Sequence, residues 1–328
     1  MIRSRKPRDA LTTIAILAIQ LFLAGVSAGD GWDVYNIEQG FTRRPTSAID
    51  AGQGIVYLAR SDGAIIKFDG ETFREIQGVQ EAVSGTQITS LLIENSRIWI
   101  GTDKGLFLHH DSDTRKFTSR EGLKVKHVLD IQVDASKNIW VLGQKKLARG
   151  TWHGNRLEWT TFSLWSGWIK QFDAADLLID KNQRVWVATS KGVLLVSQNG
   201  ETRLFGPESG LQWVNTTCLA EDGESGLWVG AHDHFGRGTI FRMTDETFQD
   251  MGTGFGLPRL RVKAVTIDGQ VVWAATDKGL YKFDGNRWHK YSRLDGLAQN
   301  DIDTVLTTPE GVYIRTVSRY SSELNRLS

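Results

Sequence analysis

From about residue 32 onward the chain is written in short runs of alternating apolar and polar positions, separated by Gly- and Asp-rich breaks. The stretch Asp268–Leu297 shows the pattern most cleanly. Val271–Thr276 is a β-rich run centred on Trp273, and Asp277-Lys278-Gly279 follows as a tight turn in which Gly accepts positive φ. Leu280–Phe283 returns as a second run, Asp284-Gly285-Asn286 turns again, and Arg287–Tyr291 is a third. Val262–Ile267 precedes them, so one unit holds four strands arranged as a meander.

The aromatic of the second strand recurs as Tyr57, Trp99, Trp140, Trp186, Trp228, Trp273 and Tyr313, at intervals of 42, 41, 46, 42, 45 and 40 residues. A period near 40 with four short strands per unit predicts a β-propeller, here with seven blades. No unit carries a 3.6-residue apolar period of useful length, which argues against a helical solenoid. A single four-stranded sheet cannot bury both of its faces. Blades packed in a closed ring cover each other, so the repeated aromatics read as packing residues between blades.

The repeat resembles the two-component regulator propeller family. The matching residues are Trp99-Ile100-Gly101-Thr102 with Gly105-Leu106 and Glu121-Gly122-Leu123. They recur as Trp186-Val187-Ala188-Thr189 with Gly192-Val193, and as Trp273-Ala274-Ala275-Thr276 with Gly279-Leu280, Phe283-Asp284-Gly285 and Asp295-Gly296-Leu297. The first unit is degenerate (Tyr57-Leu58-Ala59, Phe68-Asp69-Gly70), and the third lacks the Gly-Leu pair after Trp140. The resemblance implies an extracytoplasmic ligand-binding module of sensor type, with glycans as plausible ligands and a membrane-bound signalling partner. In that family such repeats often precede a kinase. This chain ends after its seventh unit, so signalling would need a separate partner.

The two ends of the sequence carry further expectations. Arg3, Arg5, Lys6 and Arg8, the apolar run Leu11–Val26 and the small residues Val26-Ser27-Ala28 predict a secretory signal peptide over residues 1–28. Residues 29–328 are then a single all-β propeller domain, placed in the periplasm or secreted, with no membrane span once the signal is removed. Trp32–Ile37 matches the last strand of a unit, whereas the seventh unit stops one strand short (Ile302–Leu306, Val312–Thr316, Glu323–Leu327). The N-terminal strand therefore completes the last blade and leaves no open sheet edge. Blade boundaries fall near 42, 82, 124, 169, 212 and 258.

Charge and composition narrow the chemistry. The formal net charge is +1, and removing the signal's four bases and one acid takes it to about −2, which argues against a nucleic-acid binder. The single cysteine, Cys218, allows no intrachain disulfide and reads as a buried thiol. No phosphate loop, nucleophile elbow or calcium loop is present, and no cofactor is implied.

In a propeller the second-to-third-strand turns and the inter-blade connections share one rim. Those segments hold Arg43, Arg44, Lys104, Lys126, Trp168, Lys170, Lys191 and Trp213, followed by His232, His234, Arg237, Arg259, Arg261, Lys278 and Arg315. Acids are fewer there, so the rim is expected to attract an anion, such as an acidic oligosaccharide, with Trp168 and Trp213 as flat faces. His232-Asp233-His234 is the sharpest local cluster and a weak candidate for metal ligation or acid–base work. Two rivals to a sensor-type binder stay open: a lyase or hydrolase on an anionic glycan with His232 or His234 as base, and a scaffold for protein partners.

Overall fold

The computed structural model describes residues 31–35, 41, 45–164, 172–317 and 322–327. The predicted signal peptide lies outside these residues, as do Arg43, Arg44, Trp168 and Lys170. Seven four-stranded antiparallel sheets follow one another as blades of a propeller. Blade one runs from Thr46 to Glu75, blade two from Ile88 to Phe117, and blade three from Asp130 to Ser163. Blade four spans Ala174 to Phe205, blade five Asn215 to Asp250, and blade six Val262 to Tyr291. Blade seven takes Ile302–Thr308, Gly311–Val317 and Ser322–Leu327 from one end of the chain and Trp32–Tyr35 from the other. The closing strand lies antiparallel to Ser322–Leu327, with Trp32 opposite Leu327 and Tyr35 opposite Leu324. The ring closure expected from the sequence is therefore present.

Each seam between blades holds its own apolar cluster, and the second-strand aromatic faces the next blade. Trp99 packs with Val128, Ile131 and Val141 of blade three, and Trp186 with Leu219, Leu227 and Val229 of blade five. Trp273 packs against Val305 and Ile314 of blade seven, where Trp32 joins it. Tyr313 meets Val56 and Phe68 of blade one and completes the circuit.

The indole N–H has the same kind of partner in three of the blades. In three blades an Asp six residues earlier, in the turn before the strand, accepts it: Trp140 Nε1 to Asp134 at 2.9 Å, Trp186 to Asp180 at 2.9 Å, and Trp228 to Asp222 at 2.8 Å. A buried donor left unpaired would cost about 1–3 kcal/mol, so the turn acid is a structural partner of the Trp.

The acid-Gly-Leu signature has an equally local cause. Thr118 and Glu121 form a reciprocal capping box on a short 3-10 turn, Gly122 takes φ 92°, and Leu123 drops into the seam. Ser292, Asp295, Gly296 and Leu297 repeat the device. Among the described residues, no helix is long and apolar enough to cross a membrane.

Candidate functional site

The sequence pairs the end of each second strand with the start of the innermost strand, so both lie at one rim. Thr46 sits opposite Arg60, and Ile88 opposite Thr102. Three blades reach this rim through the same turn, Thr-x-Lys-Gly. Thr102 Oγ1 donates to the Gly105 carbonyl at 2.8 Å and accepts from the Lys104 backbone N–H at 3.1 Å. Thr189 and Thr276 do the same with Gly192 and Lys191, and with Gly279 and Lys278. The buried Thr fixes the turn, and the Lys is left on the outside. Lys104, Lys191 and Lys278 are thus exposed at equivalent positions of blades two, four and six. The acids beside two of them tie the turn to the start of the innermost strand of the same blade: Asp103 accepts from the Gln87 N–H at 2.8 Å and Asp277 from the Arg261 N–H at 3.2 Å.

Other candidates gather in part. Lys104 and Lys126 border one groove of about 290 Å³ at the junction of blades two and three, where Lys124 joins them. Arg259 lies over Trp213, its Cζ 5.6 Å from the ring centre, and Trp213 is packed against the blade four–five cluster. That ring is a smaller platform than the sequence suggested. Lys278 lies 3.7 Å from Asp277. Arg261 is exposed nearby.

The histidine cluster does not assemble as expected. His232 ends the strand Leu227–His232, is buried, and its Nδ1 lies 2.5 Å from the Asp233 carbonyl oxygen. The Asp233 carboxylate is spent on the turn. It accepts from the backbone N–H groups of Phe235 and Arg237 and pairs with the Arg237 guanidinium at 2.9 Å. Those bonds hold its pKa below the ordinary carboxylate range, against the opposing effect of burial. His234 is exposed and lies against Phe235. Because the strand stops at His232, the two histidines never share a strand face. Among the described residues, no group of three or more His, Cys, Asp and Glu is arranged to hold a metal ion.

Arg315 is the clearest displacement. The sequence puts it in a rim turn, but the second strand of blade seven runs through to Val317, and Arg315 stands inside the ring at 6% exposure. Its Nε and Nη2 donate to Asp303 at 2.9 and 2.6 Å.

It borders a polar cavity of about 310 Å³ at the rim end of the central channel. The cavity is made by a bulge near the start of the innermost strand, as between Ala174 and Asp176 and between Ile302 and Thr304. Such a bulge turns extra side chains toward the axis. Asp130 of blade three and Asp176 of blade four line it. Both accept from one backbone donor, Leu177 N–H, at 3.3 Å to Asp130 and 2.9 Å to Asp176. Each also staples its blade to the next, Asp130 by accepting from Leu177 N–H and Asp176 from Leu219 N–H at 2.7 Å. Asp50 does likewise with Ile93 N–H at 2.6 Å. Sequence reasoning passed over all three; for Asp130 and Asp176 the signal available was an acid near the head of an otherwise apolar innermost strand.

Burial raises all three pKa values. Asp50 moves up to about 6, and Asp176 rises well above the usual range because burial is reinforced by the charge of Asp130. Burial likewise pushes the Cys218 thiol on the same wall up to about 12, which disfavours its thiolate.

A group whose folded pKa is raised stabilises the fold fully below its unfolded pKa near 4, and that contribution fades as pH rises through the folded value. The melting temperature should therefore fall as pH is raised from about 4 through 6 and beyond. Asp176→Asn should flatten this fall in a pH series of thermal melts. A variant melting curve as steep in pH as the parent's would remove the pair from the explanation.

No protein-family model matches the chain, and no curated protein does. Solved structures do. Virginiamycin B lyase from Staphylococcus aureus superposes with a TM-score of 0.70 at 11% identity, covering 90% of this chain and 99% of that one. The extracellular domain of BT3049 from B. thetaiotaomicron, named as a hybrid two-component system, gives a TM-score of 0.71 at 15% identity. That match covers 91% of this chain and 42% of the other. YCF48 bound to D1 peptide gives 0.68 at 11% identity, over 91% and 97%. At these identities the shared property is the seven-bladed fold, which the chain holds in common with two-component extracellular domains and with streptogramin lyases.

Proposed function

We propose that this chain is an exported, non-enzymatic ligand-binding propeller of sensor type. Its basic rim takes an anion, an acidic oligosaccharide foremost, and occupancy is relayed to a membrane-bound signalling partner. The observation that carries the reading is the repeated Thr-x-Lys-Gly turn, which delivers Lys104, Lys191 and Lys278 to one face. A turn that spends its Thr on structure while presenting a Lys each time builds a positive field over the channel mouth. The shared fold with two-component extracellular domains supports the sensor assignment and the extracytoplasmic location.

The test is a thermal-shift screen of residues 29–328 against acidic and neutral oligosaccharides at two salt concentrations. A ligand at 100 times its Kd adds about 2.7 kcal/mol to stability. Acidic oligosaccharides should raise the melting temperature, salt should erode the shift, and the triple variant Lys104→Ala/Lys191→Ala/Lys278→Ala should lose most of it. Equal shifts with neutral sugars, or a triple variant that binds as the parent does, would overturn the rim assignment. The lyase fold gives an enzymatic rival, in which His234 is the exposed base. Turnover of a bound oligosaccharide that stops in His234→Ala would establish that rival.

A further inference from the structure

The central channel holds a cavity whose lining is chemically unlike the rim. In blades one, two, four, five and six the residue two places after the second-strand aromatic is small: Ala59, Gly101, Ala188, Gly230 and Ala275. Blade seven has Arg315 there, opposite Thr304 on the innermost strand. A guanidinium in a slot built for Gly or Ala must either pack into the channel or distort the blade. Here it borders the cavity, with two of its nitrogens on Asp303. The remaining nitrogen, Nη1, is buried with no partner, and so is the hydroxyl of Ser47 on the same cavity wall. Buried donors are almost always satisfied, so these two mark a place where an acceptor belongs.

The opposite wall has the complementary need. In a ring of seven, blade seven faces the gap between blades three and four, which carry Asp130 and Asp176. Two carboxyl groups that share the Leu177 N–H stand too close to ionise together at low cost, so the pair favours one proton and one negative charge. The bases bordering the cavity, among the described residues, are Lys263 and Arg315, and each is already paired, with Asp301 and Asp303. The charge of the carboxyl pair is therefore uncompensated. Among the described residues no aromatic ring lines the cavity, which disfavours a stacked sugar, and its volume suits a small molecule.

We propose that the channel mouth binds a small primary amine with a hydrogen-bond acceptor at its far end. The ammonium is held by the Asp130–Asp176 pair, and the acceptor by Arg315 Nη1 and the Ser47 hydroxyl. The site opens on the same rim as the lysines but does not depend on them.

The experiment is calorimetric titration of residues 29–328 with two homologous series, ω-amino acids and ω-amino alcohols of increasing chain length from glycine and ethanolamine upward. Each is compared with its N-acetyl form and with the plain alkylamine. One chain length should bind best, its N-acetyl form should not bind, and the plain amine should bind at least about tenfold more weakly. Binding by both series would show that any acceptor serves; binding by the amino acids alone would show that it must be a carboxylate, and either supports the site.

The variants give a signature that a structural role would not. Asp130→Asn or Asp176→Asn leaves one ionised carboxylate, so each single variant should bind within a few-fold of the parent. The double variant should lose binding. Arg315→Lys, which keeps the charge but not the fork, should bring the amino compounds down to the plain amine. Lys104→Ala/Lys191→Ala/Lys278→Ala should leave amine binding intact, which separates this site from the rim. No binding by any chain length, equal binding of N-acetyl forms, or retention in the double Asn variant would overturn the proposal.

Discussion

Deleting residues 31–35 will lower the melting temperature by roughly 10 °C or more and drive part of the protein into dimers or larger species. The size follows from what the strand buries. Trp32 is 2% exposed, lies 5.9 Å from the Tyr291 ring, and belongs to the cluster that joins blades six and seven. Burying a Trp removes about 150–250 Å² from water, worth roughly 4–6 kcal/mol at 25 cal/mol per Å² as an upper bound. At about 2 °C per kcal/mol for a chain of this size, that alone is close to 10 °C. The pairing of Asp33 with Arg326 at 2.7 Å adds little, being half in solvent. The deletion also leaves Ser322–Leu327 as an open edge that another chain can pair with. Thermal melting and light scattering on the truncated protein check both effects. A truncated monomer that melts with the intact protein would show that ring closure contributes no stability.

Trp186→Ala is expected to cost about 3–5 kcal/mol, the range for deleting a large aromatic from a packed core. Trp186 is among the largest fully buried side chains and fills the seam between blades four and five. Its indole is also tied to Asp180, which is 2% exposed and accepts from Arg184 as well. The substitution therefore leaves a cavity and removes one donor from a buried carboxylate. Trp186→Phe separates the two terms. It keeps most of the packing and drops the N–H, for an expected loss of about 1–3 kcal/mol. Urea titrations with unchanged slope give both values. If Trp186→Phe is as stable as the parent, the turn acid contributes nothing through the indole. If Trp186→Ala costs under 1 kcal/mol, the seam is not the packed core described here.

The rim was readable from the sequence because its geometry is local. Thr102, Lys104 and Gly105 lie within one turn, and the bonds that expose the lysine run between residues two and three apart. The histidine cluster failed for a local reason as well. Reading His232-Asp233-His234 as ligands assumed that Asp233 was available, whereas it caps its own turn as Asp does in many loops. Arg315 was counted with the rim although it falls inside the run Val312–Thr316. Its place on the channel wall depends on residues of other blades that border the same cavity, and the run itself does not carry them.

The sequence by itself determined the architecture: seven units, four strands in each, a Trp seam between neighbours, and closure by the N-terminal strand. Each follows from a period, a turn residue or an unpaired edge, and all three are properties of short segments. The tertiary structure alone decided what the channel contains. Asp130, Asp176 and Arg315 come from three blades, separated by 46 and 139 residues in the chain. Only ring closure brings them to one cavity. Their protonation is decided there too, since burial and a like charge from another blade set it, and neither is written in the residues that flank each acid.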